Sequence, residues 1–324
     1  EDWSFPSFAS FDAMLEACAP DVVVVGTPPS THADYCLRSL ESGCHVICEK
    51  PFASSVAEAD RIVEAAGRAG RRVALNHEFR VMPIFRAVRD AVGTEEVGEL
   101  LFAQVWQLMD LPPWEEPGWR GRLLQRTLFE AGVHLVDYLM ALFGEKPRAV
   151  SATVSSSGAR EDASDAVALV TLHFSGGRLA HVVQNRLCKG ETQYFEVRAE
   201  GTRSSLRASF GGRARLSAGL YRDTTPHVRF EYGLSGLAWR EKGNDRHPLA
   251  RNPREPGRAA TTDLFRETLA AFRSGEPAPV GPDVGRDVIE VVAGAYRSAE
   301  EGRRVVLDGT EEGLEELQMG AARD

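Results

Sequence analysis

The 324-residue sequence predicts an α/β chain: part of a doubly wound parallel sheet, then an α+β domain on a large, mostly antiparallel open sheet. Three observations carry that prediction. Residues 10–76 alternate between helical and strand periods with tight loops. Four consecutive valines, Val22-Val23-Val24-Val25, read as a strand buried on both faces. From about residue 98, long strand-like stretches succeed one another around a hairpin turn.

Ser10 caps a short helix through Cys18. Gly26-Thr27-Pro28-Pro29 breaks the valine strand, and Ser30 or Thr31 starts a helix that stops at Gly43. His45 to Cys48 is the next buried strand, ended by Glu49-Lys50-Pro51. Ser55 and Glu58 form a capping box for a helix to Gly70, and Arg72 to Leu75 is a further strand. This β-α-β-α-β order requires parallel strands with right-handed crossovers. It is the layout of the second half of a dinucleotide-binding (Rossmann) fold.

Strands are then expected at Glu99–Asp110, Ala149–Ser155, Ala166–Phe174, Arg178–Arg186 and Tyr194–Ala199, with Ser175-Gly176-Gly177-Arg178 as a two-residue hairpin turn. Helices are expected over Thr127–Phe143, Thr262–Arg273 and Val284–Glu301, the last capped by Asp283. Residues 240–260, rich in Arg, Pro and Gly, read as a long loop. The resulting domains are 1–78, the truncated dinucleotide-binding half, and 79–324, an α+β domain to which the resemblance described below assigns substrate binding and oligomerisation.

Composition excludes several classes of partner. A net charge of -9 argues against nucleic acid and anionic membranes. No apolar run approaches the roughly 20 residues that span a bilayer. Five cysteines, with no CxxC pair, are expected as reduced thiols in a cytoplasmic protein.

Three features carry chemistry. Lys50 stands at the carboxyl end of a parallel strand, where open α/β sheets bind ligands; an exposed loop lysine is the plainer alternative. In the helix over residues 127–143, Phe129, Val133, Val136, Met140 and Phe143 form an apolar stripe, and Leu128, Leu135, Leu139 and Leu142 widen it. Glu130, His134 and Asp137 fill the narrow polar strip that remains, which looks like the wall of a cleft. Glu130 there orients His134 as a general acid/base. A salt-bridged solvent face is the alternative. A metal bound by Glu130 and His134 is a lesser one, because no second ligand cluster presents itself. The third feature, Thr27-Pro28-Pro29-Ser30-Thr31-His32, is a small loop that lets a flat ligand approach the backbone; His32 in it reads as a helix-start residue.

Taken together and in order, these stretches resemble the Gfo/Idh/MocA oxidoreductases, named for glucose-fructose oxidoreductase and inositol dehydrogenase. The matching residues are 22–32, 43–51 with its Glu49-Lys50-Pro51, Asn76 to Arg80, 130–137 and 295–302. The resemblance implies reversible hydride transfer between NAD or NADP and a hydroxyl-bearing carbon of a sugar, polyol or related ring. It implies Lys50 between nicotinamide ribose and substrate hydroxyl, His134 as general acid/base, and Glu130 in the place usually held by an aspartate. It implies Asp137 and Arg80 as supporting or substrate-side groups, with Thr27, Pro28, His32, Glu49 and Asn76 along the cofactor crevice. No resident metal is expected, and a homo-oligomer is.

The sequence departs from that pattern in places. Glu130 replaces the aspartate, and Arg126-Thr127 stands where a Gly-Gly pair is common. No G-x-G-x-x-G follows a strand. A chain lacking roughly 45 residues of an N-terminal βαβ unit is expected, one that by itself binds dinucleotide poorly. Two alternatives remain open: a cofactor-free binding or scaffold protein on this fold, and a glycosidase using NAD for transient oxidation.

Overall fold

Ser10 is extended and its hydroxyl accepts from the Ala13 N–H, opening α1 (Phe11–Cys18). The valines form β1 (Val22–Val25). A 3-10 turn over Pro29–Thr31 leads into α2 (His32–Glu41), and β2 (His45–Cys48) follows. At the start of α3 (Val56–Ala69) the Ser55 hydroxyl accepts from the Glu58 N–H, while the Glu58 carboxylate accepts from the Ser54 N–H. β3 (Val73–Leu75) completes a parallel sheet ordered β1-β2-β3, so the carboxyl ends of the three strands share one edge. The computed structural model describes residues 5–112, 118–156, 164–190, 192–211, 213–219, 227–233 and 235–307.

Beyond α4 (Pro83–Ala91), which the sequence pattern did not announce, the chain enters the second sheet at β4 (Leu100–Leu108). The predicted helix over residues 127–143 then divides into two. Thr127–Gly132 is a π-helical turn, and only Val133–Phe143 is α-helix, α5. The strands β5 (Ala149–Ser155), β6 (Val167–His173), β7 (Leu179–Asn185), β8 (Gln193–Gly201) and β9 (Ser205–Phe210) follow. Gly176 and Gly177 both take positive φ in the hairpin between β6 and β7, which side chains other than glycine resist.

The long loop expected over residues 240–260 is a correction. After a separate hairpin of β10 (Arg213–Gly219) and β11 (His227–Gly233), the chain makes β12 (Gly236–Lys242) and β13 (Asp245–Arg251). α6 (Pro256–Ser274) then starts well before Thr262. β13 is the outermost strand and carries Pro248 beside a register shift, and an edge tolerates proline and charge that a central strand does not. α7 (Pro282–Glu301) begins at Gly281, so Asp283 sits in its first turn instead of capping it. β14 (Val305–Val306) closes the described chain.

Among the described residues the second sheet has nine strands, ordered β13-β12-β9-β8-β4-β7-β6-β5-β14. Every pair is antiparallel except β4 with β7. The two sheets are held together from the far end of the chain. α6 packs Phe265, Leu269 and Phe272 against Val22, Ile47 and Ala74 of the three-stranded sheet. α7 lies against both α3 and β5. Among the described residues, no helix is long and apolar enough to cross a membrane.

The approach of α7 to the first sheet depends on Gly285. A Cβ there runs into Leu75 Cδ1 and comes within 2.9 Å of Phe52 Cδ1, in a fully buried site. Gly285→Ala is expected to lower stability by about 1–3 kcal/mol through overpacking, read as a lower denaturant midpoint at unchanged slope; an unchanged midpoint would show that Leu75 yields without cost.

Candidate active site

The carboxyl ends of β1, β2 and β3 bring the sequence-predicted crevice residues to one edge. Thr27 and Pro28 are exposed at the rim after β1. The Thr31 hydroxyl reaches back 2.8 Å to Thr27 Oγ1. His32 is buried, with Nε2 2.8 Å from the Thr27 carbonyl and Nδ1 2.8 Å from the Pro51 carbonyl. Its ring ties the loop after β1 to the loop after β2. Expected along the crevice itself, His32 instead braces the crevice from behind, because both ring nitrogens meet main chain.

Asn76 donates from Nδ2 to Glu49 Oε1 at 2.6 Å, which aligns the ends of β2 and β3. The Asn76 Oδ1 is buried and has no hydrogen-bond partner. Lys50 crosses from the first sheet to the second domain and donates to the Glu130 carbonyl at 3.1 Å.

That carbonyl belongs to the π-helical turn, and the turn is fixed at its start. Asp165 Oδ1 accepts from the Arg126 and Thr127 N–H groups at 2.6 and 2.8 Å, and its Oδ2 accepts from the Tyr296 hydroxyl of α7. The same hydroxyl accepts from the Leu128 N–H. Gly132 passes directly over the sheet, where a Cβ would meet Gln184 Oε1 at 2.7 Å.

The π turn overturns the expected pairing of Glu130 with His134. Straight α-helical spacing would place residues four apart on one face; the wider turn withdraws Glu130 from it. The Glu130 carboxylate lies instead 2.7 Å from Arg120, 2.8 Å from Arg126 and 3.6 Å from Arg186. Arg126 and Arg186 are almost wholly buried. Burial by itself would raise the Glu130 pKa, but the Arg126 bond and charge, then Arg120 and Arg186, bring it below the ordinary carboxylate range.

His134 has a different carboxylate neighbour. Its Nδ1 is buried without a hydrogen-bond partner, 3.9 Å from Glu78 Oε2. Burial, then the charges of Lys50 and His77, hold the imidazole pKa well below its ordinary value, so the ring is a neutral base at neutral pH. His77 sits edge-on to it, with ring centroids 5.6 Å apart. Asp137 is buried and takes both Arg80 Nε bonds, at 2.9 and 2.8 Å, while His77 Nδ1 stands 3.8 Å away. Asp137 and Arg80 are thus a closed pair behind His77. Tyr194 of β8 is 45% exposed, and its phenol feels Glu78, Glu130 and Arg186, so it lies on the open side.

Glu78 and His77 were passed over in the sequence, though they directly follow Asn76. The strand-end rule that singles out Lys50 after β2 applies equally after β3, and that signal points to Glu78.

The same chain is matched by two family models. One, described as the oxidoreductase family with NAD-binding Rossmann fold, matches residues 1–77, and the GFO/IDH/MocA C-terminal domain matches residues 85–207. Among similar proteins, D-apiose dehydrogenase of Paraburkholderia graminis is 29% identical over 92% of this chain and 76% of its own. Myo-inositol 2-dehydrogenase of Thermotoga maritima is 26% identical over 91% of this chain and 82% of its own. An aldose-aldose oxidoreductase from Caulobacter crescentus, solved with glycerol, superposes with a TM-score of 0.73 at 22% identity, over 92% of this chain and 82% of that one.

The arginine cluster yields a stability test. Glu130→Gln removes the carboxylate shared by two buried guanidiniums and is expected to cost about 3 kcal/mol, as breaking a buried ion pair does. Urea denaturation at neutral pH reads it; a midpoint equal to wild type would show that the guanidiniums are balanced without Glu130.

Proposed function

The chain belongs to the Gfo/Idh/MocA oxidoreductases, and from that membership we propose how its residues carry out NAD(P)-dependent oxidation and reduction at a hydroxyl-bearing carbon of a sugar or polyol. The observation that carries the reading is the meeting of Lys50, at the end of β2, with the π-helical turn that leads into His134. The site suits a nicotinamide cofactor. At the strand ends Asn76 Oδ1 is a buried acceptor without a partner, and Lys50 commits one of its three N–H donors to the Glu130 carbonyl. Thr27, Pro28, Glu49, Lys50 and Asn76 would hold the cofactor there.

When bound, the nicotinamide supplies the hydride acceptor or donor. Lys50 donates to the substrate oxygen and stabilises the charge that develops on it as the O–H proton leaves. With Nδ1 turned inward, His134 takes that proton at Nε2 and returns it in the reverse direction. Its burial keeps the ring neutral and ready to accept. Asp137, paired with Arg80, lies behind His77, whose ring meets His134 edge-on. Glu130 holds Arg120 and the buried Arg126 and supplies, through its main chain, the rest for Lys50.

We also infer a homo-oligomer joined through the outer face of the nine-stranded sheet. Thr153, Leu169, Val183 and Trp106 lie side by side on four neighbouring strands, and Leu169 is 42% exposed. Light scattering on the eluting protein should give an integral multiple of the chain mass, and Leu169→Lys should reduce it; a monomeric wild type would remove the proposal.

For the reaction, protein expressed from its gene is incubated with C-deuterated polyols and sugars and with NAD or NADP. Deuterium should appear on the nicotinamide. Lys50→Met should reduce kcat by about 10²–10³-fold, and His134→Asn by about 10²–10⁴-fold, each with the fold retained. Release of a sugar leaving group without net cofactor reduction would identify the glycosidase reading instead, and absence of nicotinamide binding would favour a binding protein.

A further inference from the structure

Resting on that dehydrogenase reading, we propose that Glu78 is the positioning carboxylate of His134: ionised, it accepts the Nδ1–H hydrogen bond and so stabilises the imidazolium formed when Nε2 collects the substrate proton. In the oxidation direction the substrate O–H bond breaks and an Nε2–H bond forms. The Nδ1 proton stays on the ring, shared with Glu78, and leaves no net change at the carboxylate.

Geometry is the first support. The Nδ1 of His134 is a buried nitrogen without a partner, and Glu78 Oε2 is 3.9 Å away. That is under 1 Å beyond hydrogen-bond range, roughly the tightening that catalytic bonds undergo on forming a complex. Elimination is the second. Glu130 is held by arginines, Asp137 by Arg80 and Glu49 by Asn76. Asp165 is committed to the main chain of the π-helical turn and to Tyr296, which among the described carboxylates at the site leaves Glu78 held by no arginine, side-chain amide or hydroxyl.

Its environment is the third. Burial raises the Glu78 carboxyl to about 7, against the pull of its own backbone N–H and Lys50, and with a push from Glu49 and Asp137. The groups that face it are therefore Glu49 and Lys50 from the end of β2, His77 from its own segment, His134 and Asp137 from α5, and Tyr194 from β8. The two groups are close enough for their titrations to be coupled, so each reports the charge of the other. Below about pH 7 Glu78 is neutral and no longer offsets the imidazolium, so oxidation should accelerate as pH rises through that value.

The test uses protein labelled with 15N in histidine, without cofactor or substrate, with His134 assigned by its loss in His134→Asn. Its ring nitrogens should show a titration step near pH 7 in wild type, absent in Glu78→Gln and displaced in Glu78→Asp. In turnover, Glu78→Gln should lose about 10–100-fold in kcat with KM within about threefold, and lose the rise near pH 7. The same His134 step in Glu78→Gln as in wild type would overturn the proposal, as would retention of kcat within twofold. Should Glu78→Gln not fold, Glu78→Asp decides: a step at the wild-type position overturns the pairing, a displaced one supports it. A displaced step in a protein that transfers no hydride supports the pairing and sinks the dehydrogenase reading instead.

Discussion

The carboxylate of Asp165 fixes the start of the π-helical turn, and the rest of the site depends on where that turn runs. With the Arg126 and Thr127 N–H groups on one oxygen and Tyr296 on the other, the first residues of the turn have little freedom. Tyr296 belongs to α7, which also packs on α3 and β5. The turn is therefore positioned by a helix that touches both sheets. Burial raises the Asp165 pKa, and the bonds from Thr127, Tyr296 and Arg126 draw it back, so the anchor is sustained by the groups it holds.

From that anchor the winding distributes function along one segment. A π turn brings the Glu130 main chain to Lys50 while sending its side chain toward Arg120, Arg126 and Arg186. α5 then resumes regular spacing and buries His134 and Asp137 toward the residues that follow β3. The segment contributes a carbonyl to the first sheet's lysine, a carboxylate to the arginines and an imidazole to the cleft. A straight helix over the same residues would align Glu130 with His134 on one face. π turns inserted in helices are frequent at functional sites because they redirect side chains without ending the helix.

Much of this was legible in the residues. The valine run, Ser10 and Ser55 and the paired glycines at 176–177 are local signals, and local hydrogen bonds answer them. Lys50 and His134 could be singled out because strand ends and narrow polar strips are visible in a one-dimensional pattern, whereas Asn76 came only from the resemblance. Glu130's partners could not be read, because Arg120 and Arg186 reach it from other segments and the π turn leaves no mark in periodicity. His32 was legible as a residue but not in its task, since the Pro51 carbonyl it meets lies nineteen positions on. The strands after residue 205 escaped because β13 is a charged, proline-bearing edge whose pairing, not its composition, makes it a strand.

The arginines set the Glu130 carboxylate apart from that of Glu78. A carboxylate accepts the imidazolium Nδ1–H only with an oxygen not committed to other cations, and accepts it more strongly the higher its own proton affinity. Three guanidiniums press Glu130 below the ordinary range, which makes it a poor competitor and a good counter-ion. Glu78 is half-buried with no arginine on its oxygens, and desolvation raises its affinity while its own backbone N–H and Lys50 limit the rise. The Glu130 oxygens lie among cations, and those of Glu78 lie beside His134. Lys50 acts on both Glu78 and His134, lowering each, so in the mechanism proposed above its approach to the substrate oxygen would be coupled to the proton balance of the pair. Withdrawing the Lys50 charge toward the developing alkoxide would relieve His134 just as the ring must take up its proton, which ties stabilisation of the oxygen and acceptance of the proton to the position of one side chain.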